Sequence, residues 1–236
     1  MDAAVDALAD GLIQTLASLN PDERYLVGIS GIPGSGKSTL ATHVCQTVNA
    51  KLDGGGNGSS TSPIAAIVGM DGWHYTRARL ATFPNPTEAK DRRGAAFTFD
   101  AASFSDFVTL LKTRPQEVVK APSFDHSLKD PVEEDVEVRP AHRIVIIEGL
   151  YCNCDDGEWG RGAKLLDERW VVEVQREVAR QRLRVRHVET GVAKDEEEAL
   201  WRADNNDLPN GDYLLSHLLE PVKRIKSREE EAWATS

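Results

Sequence analysis

The sequence predicts an α/β fold, a parallel sheet flanked by helices. Three observations predict it. Short apolar runs alternate with segments whose apolar residues recur at helical spacing. The first run opens into a glycine-rich turn, Gly31 to Gly36, that leads into a helix. Two later runs end in an acid, Asp71 and Glu148, as strands that feed a ligand-binding edge can do. With 236 residues the chain suits one domain, 1–236, with room for a small insert and a lid.

In chain order, Val5, Leu8, Leu12, Ile13, Leu16 and Leu19 recur at helical spacing over 3–19, and Pro21 ends that helix. "YLVGIS" (25–30) reads as a buried strand and "KSTLATHVCQTVNAKL" (37–52) as the helix after the turn. "DGGGNGSSTS" (53–62) is a loop by composition. "IAAIVGM" (64–70) is a second strand, followed directly by "DGWH". Residues 76–102, broken by Pro84, Pro86 and Gly94, read as irregular. "SFSDFVTLLKT" (103–113) is a helix with Ser103 as its N-cap. The stretch 117–140 alternates and carries prolines, which suits edge strands or a hairpin. "HRIVIIEGL" (142–150) is the strongest strand, with β-branched residues from Ile144 to Ile147 ahead of Glu148. "RWVVEV" (169–174) is another, and the segment between them is polar around Trp159. An arginine-dense helix runs from Arg176 to about Gly191, "KDEEEALWRADNND" continues helical, and the tail "SREEEAWATS" is a solvated end.

Bulk composition narrows the function classes. A net charge of -10 argues against a broad nucleic-acid or anionic-membrane surface, because both need a basic field. It leaves room for a small anion in a local basic pocket. The three cysteines, Cys45, Cys152 and Cys154, fit neither a disulfide framework nor a zinc site, so reduced thiols are expected. The start of the chain carries Asp2, Asp6 and Asp10 where a leader needs lysine or arginine, and no apolar run reaches ~18 residues. The expectation is a cytoplasmic protein with no membrane span.

Gly31 to Ser38 satisfy the pattern G-x-x-x-x-G-K-[ST] in full. Glycines let the backbone curl so that several N–H groups point at one anion, and the helix after the turn adds its positive dipole end. Lysine at the seventh position reaches the β- and γ-phosphates of a nucleotide, and the hydroxyl after it suits Mg²⁺. The candidate nucleotide site is Gly31, Pro33, Gly34, Ser35, Gly36, Lys37, Ser38 and Thr39.

That motif identifies a bound nucleotide and no more. The acids ending the other strands suggest how the phosphate is used. Asp71 is the candidate general base or metal contact, against the plainer role of capping a turn before Gly72. Glu148 sits where an acid would hold Mg²⁺ directly or through water, against the role of a turn acid. The candidate metal set is Ser38, Asp71 and Glu148. His74 and His126 suit structural roles or an acceptor pocket, His126 lying next to Asp125. "REVARQRLRVR" (176–186) holds five arginines in an acidic chain. It is either a solvated face or a phosphate clamp built from Arg180, Arg184 or Arg186.

Together, the glycine-rich loop, "MDGWH", "RRGAAFTFD", "PSFDHSLKD", "IVIIEGL" and the arginine helix with "NNDLPNG" beyond it resemble the uridine kinase, phosphoribulokinase and bacterial pantothenate kinase superfamily. The likeness is greatest to its fungal ATP-dependent kinase and uridine-kinase-like branch, and it runs from about Tyr25 to Gly211. The resemblance implies a P-loop NTPase fold of nucleoside- and nucleotide-kinase type, with an acceptor insert over about 72–140 and a lid over about 176–206. It implies ATP and Mg²⁺, with a small-molecule hydroxyl as phosphate acceptor. By motif position it puts the base on Asp71 and the metal-side acid on Glu148. Acceptor contacts fall near His74, Arg93, Phe124 and His126, and lid contacts on Arg184 or Arg186. The nucleotide base falls near Asn205, Asn206 and Asn210. "DGWHY" and "YCNCDDGEWG" depart from the pattern of typical uridine kinases. A P-loop NTPase that acts as a switch or assembly factor is the competing reading, and a second copy of the chain as partner stays open.

Overall fold

The computed structural model describes residues 3–53, 62–125 and 127–228. The first half runs α1 (Ala3–Ser18), β1 (Tyr25–Gly31), α2 (Lys37–Leu52), β2 (Ala65–Gly69), α3 (Arg77–Leu80), α4 (Pro86–Asp91) and α5 (Ala101–Thr113). A hairpin comes next, β3 (Val119–Asp125) and β4 (Asp130–Val138), then β5 (Ile144–Glu148), α6 (Gly157–Ala163) and β6 (Glu168–Glu173). The chain closes with α7 (Arg176–Glu189), α8 (Glu196–Arg202), a π-turn (Ala203–Asp207), α9 (Leu208–Ser216) and β7 (Lys223–Lys226).

The five strands of the main sheet lie in the order β2-β5-β1-β6-β7, all parallel. Sequence order reverses about β1, so the crevice at the carboxyl ends of the strands opens beside the glycine-rich turn. Register then fixes the site. Glu148 lies level with Ile29 of β1 and Gly69 of β2, so Gly31 and Asp71 each come two residues beyond that line.

Residues of β5 alternate between the two faces, as the period of a strand dictates. Ile144 and Ile146 enter the core under α1 and α2, with Val5, Leu8, Leu12, Leu40, Val44 and Val48. Val145 and Ile147 enter the opposite core, with Trp73, Phe104, Phe107, Tyr151 and Trp159. Each fully buried aliphatic side chain contributes about 1.5–3 kcal/mol. Both faces are thus covered, the condition for an all-parallel sheet.

The structure corrects several expectations. Residues 76–102 contain α3 and α4, both capped: Thr76 Oγ1 accepts from the Arg79 N–H and Asn85 Oδ1 from that of Glu88. The cap of α5 is Asp100, which accepts from the Ser103 N–H, so Ser103 is inside the helix. The polar segment around Trp159 is α6, with Trp159 buried. The arginine helix ends at Glu189, and the helical continuation is broken by the π-turn. A fifth parallel strand, β7, passes unread in the sequence because "KRIK" is polar and lies at the sheet edge. The three cysteines are free and buried. Among the described residues no helix is long and apolar enough to cross a membrane.

Candidate active site

The turn between β1 and α2 passes through Gly34 and Gly36 at φ +80 and +86, a region that glycine enters without strain. Gly34 also packs on α7: a Cβ there would lie 2.7 Å from the Ala179 carbonyl oxygen. Gly36 is the N-cap of α2, and no side chain caps the helix. Its first N–H groups are therefore available to an anion, beside the half-buried Lys37. The back of the loop is strapped down. Arg182 of α7 donates to the Gly34 carbonyl (3.1 Å), to Ser227 Oγ (2.8 Å) and to the Arg228 carbonyl (2.7 Å). Ser227 Oγ donates in turn to the Ser35 carbonyl at 2.7 Å. Ser227, read in the sequence as the start of a solvated tail, is part of this strap.

Ser38 Oγ donates to Glu148 Oε2 at 3.1 Å, linking the loop to the acid of β5. Burial raises the Glu148 carboxyl above its ordinary value, and the negative charge of Asp71 adds to the rise. Lys37, the Ser38 hydrogen bond and Arg186 act the other way. The same interactions show that Lys37, Ser38, Asp71, Glu148 and Arg186 share one electrostatic neighbourhood. Gly149 makes it compact: a Cβ there would lie 2.3 Å from the Cβ of Met70, the residue before Asp71. A hydroxyl beside a carboxylate is a hard oxygen donor set and fits Mg²⁺. Among the described residues no group of three or more His, Cys, Asp and Glu could hold a metal alone.

Asp71 rides on the 3₁₀ turn Met70–Trp73 and is exposed. His74 Nδ1–H donates to the Asp71 carbonyl at 2.8 Å. The His74 ring lies 3.9 Å from Phe99 and 5.0 Å from Phe124, centroid to centroid. Arg93 stands over Phe124 at 5.5 Å, pairs with Asp130 at 2.8 Å and donates to the carbonyls of Tyr75 and Lys129. His74, Arg93 and Phe124 thus converge on one side of Asp71. Phe99 completes that aromatic wall and escapes the sequence reading, because "FTFD" carries no spacing signal. His126 lies outside the described residues.

The arginines divide by partner. Arg176 pairs with Asp212, Arg180 with Asp204 and Arg184 with Glu196, at 2.6 to 2.7 Å. Arg186 is exposed, has no ion-pair partner among the described residues, and reaches Glu148 electrostatically. Asn206 and Asn210 are buried at the joint between the π-turn and the insert. Asn206 Oδ1 accepts from Arg92 Nε at 3.1 Å and its Nδ2 donates to the Arg93 carbonyl at 3.0 Å. Asn205 Nδ2 donates to the Trp201 carbonyl. A separate hollow lies behind the loop, lined by Thr39, Val172, Arg182, Ile225 and Lys226. The sequence does not disclose it, because two of these residues belong to β7.

No family model matches the chain. A uridine kinase-like protein of Schizosaccharomyces pombe is 38% identical over 203 residues, 86% of this chain and 83% of its own length. The chain belongs to the uridine-kinase-like P-loop kinases. The ATP-dependent kinase-like protein notR' of Aspergillus versicolor is 44% identical over 159 residues, 66% of this chain and 92% of that protein. Solved structures agree on the fold. A fructose transport system kinase-like protein of Silicibacter sp. TM1040 has a TM-score of 0.77 and 31% identity, covering 94% of this chain and 98% of that one. YFH7 of Saccharomyces cerevisiae, a P-loop protein with a circular permutation, has a TM-score of 0.83 and 24% identity, covering 97% and 100%. This kinase shares their mostly parallel sheet flanked by helices.

Proposed function

We propose that this kinase moves the γ-phosphate of ATP to a hydroxyl of a small metabolite of nucleoside, sugar or hydroxyacid type. The observation that carries the reading is the convergence at one sheet edge: the uncapped start of α2, the Ser38–Glu148 pair, and the exposed Asp71 beside an aromatic wall. The nucleotide phosphates lie on the N–H groups of α2 and on Lys37. Ser38 and Glu148 hold Mg²⁺, which when bound offsets negative charge on the phosphates.

The acceptor hydroxyl stands between Asp71 and the γ-phosphate. Its oxygen forms the new bond to phosphorus as the bond to the bridging oxygen of ADP breaks and ADP leaves with that electron pair. Asp71, exposed and aligned by the His74 hydrogen bond to its backbone, takes the hydroxyl proton. Arg186 steadies charge on the transferred group.

The test is an ATP-consumption screen with Mg²⁺ across nucleosides, sugars, sugar phosphates, pantothenate-like hydroxyacids and glycerate, with substrate-free hydrolysis subtracted. At least one class should raise the rate well above that background. A rate that none raises, with ATP binding intact, points instead to an NTPase that acts as a switch.

A further inference from the structure

The joint between insert and lid holds a polar network that the transfer chemistry does not use. Arg92 donates through Nε to Asn206 Oδ1 (3.1 Å) and through its second nitrogen to Asn210 Oδ1 (3.2 Å). Asn210 Nδ2 donates to Asn206 Oδ1 at 3.4 Å, and Asn206 Nδ2 to the Arg93 carbonyl at 3.0 Å. Both asparagines are 4% exposed. The next residue, Gly94, sits at φ +106 against the two amides, and its carbonyl accepts from Tyr151 at 2.9 Å. One planar guanidinium thus bridges two buried amides, a geometry that lysine cannot reproduce.

Each end of this network touches working parts. On the insert side, the backbone it grips belongs to Arg93, whose side chain reaches Asp130 and Phe124. On the lid side, Asn206 lies within the π-turn, an irregularity frequently found at functional sites. Around it, Ala203 and Leu208 pack with Ala179 and Leu183 of α7 on Ile32, the tip of the phosphate loop. Gly211, the residue after Asn210, allows that approach: a Cβ there would lie 2.8 Å from Ile32 Cβ. The phosphate loop and α7 on one side and the turn at 92–94 on the other therefore meet at the segment 203–211.

We propose that Arg92 is a positioning residue that, through Asn206 and Asn210, couples nucleotide binding at the phosphate loop to the order of the acceptor turn at 92–98. The inference rests on the kinase reading but is tested without knowing the acceptor. A ligand that orders the loop, and with it Ile32, then orders the backbone that presents Arg93. By linkage, an acceptor bound at that turn raises nucleotide affinity by the same factor.

Hydrogen exchange with and without AMP-PNP and Mg²⁺ reads this directly. In the wild-type protein the nucleotide should protect residues 31–39, the lid at 176–202 and the turn at 92–98. In Arg92→Met, protection at 31–39 and 176–202 should persist while the gain at 92–98 falls by about fivefold or more. Arg92→Lys should fall between the two. A purely structural role would lower Tm yet leave the nucleotide-induced gain in place. If Arg92→Met does not fold, Asn206→Ala removes both the acceptor of Arg92 Nε and the donor to the Arg93 carbonyl and makes the same prediction. An unchanged gain at 92–98 in a folded variant overturns the coupling. So does a wild-type protein protected at 31–39 and not at 92–98. No protection at 31–39 overturns the nucleotide site itself, a separate and recognisable failure.

Discussion

The phosphate loop takes its groups from one unbroken stretch, residues 31–39. The side proposed for the acceptor instead gathers the turns at 70–75 and 92–99 and the hairpin at 119–138. On the first side the backbone is the reagent, and local sequence sets its shape through Gly34 and Gly36. On the second, side chains are the reagents, and they meet only because β2, β5 and the insert are packed as they are. The two sides should therefore fail differently when broken.

The sharpest break is a pair of substitutions, one on each side. Asp71→Asn keeps the turn and the backbone carbonyl that His74 uses, so ATP affinity should hold while transfer falls by about 10²–10⁴-fold. Lys37→Ala should do the reverse in binding, weakening nucleotide affinity by about 10- to 100-fold through loss of a charge-assisted contact. Titration calorimetry with AMP-PNP alongside turnover of the acceptor found by screening separates the two. Transfer that persists at the wild-type rate in Asp71→Asn removes Asp71 as the base. An unchanged affinity in Lys37→Ala removes the loop from the nucleotide site.

Legibility in the sequence divides the same way. The first four strands of the main sheet, the loop, and the acids Asp71 and Glu148 are readable, because β-branched runs and the glycine motif are local signals. The strand β7 is not. Four polar residues at a sheet edge owe their conformation to pairing with β6, which the sequence does not display. Nor is the cap of α5, where Asp100 and Ser103 are both good cap residues and only packing chooses between them. Asn206 carries a family signal, yet its half-buried bond to Arg92 spans 114 positions, beyond any motif. Ser227 looks like tail because its partners, Arg182 and Ser35, lie far away in sequence.

The arginine helix sharpens the comparison on the lid, which the sequence describes only as a group. Arg184 and Arg186 are equivalent candidates there, but Arg184 is held by Glu196, whereas Arg186 has no ion-pair partner among the described residues and acts on Glu148 electrostatically. Arg186→Ala should cost transfer about 10²–10³-fold, as removal of one donor to a developing charge does. Arg184→Ala should cost less than about fivefold, since an ion pair this exposed contributes about 0–1 kcal/mol. Initial rates at saturating ATP decide it, and equal losses would return both residues to the phosphate.

The smallest effect concerns the one group that belongs to both sides, Glu148. Burial raises its carboxyl above 4.5, so between 4.5 and the raised value the folded chain holds a proton that the unfolded chain has released. The stability it contributes is therefore full below 4.5 and is lost as pH rises through the raised value. Glu148→Gln carries no charge to bury, and its amide oxygen still accepts the Ser38 hydroxyl. The variant should melt above the wild type at pH 8, with the difference shrinking toward pH 4.5. In a chain of this size about 1 kcal/mol moves Tm by about 2–4 °C, so a rise of a few degrees is the scale to look for. Mg²⁺-dependent turnover should fall in the same variant, because the carboxylate charge that suits the cation is gone. A gain in Tm that is the same at pH 5 and pH 8 would show that the cost to the fold does not come from the buried charge of Glu148.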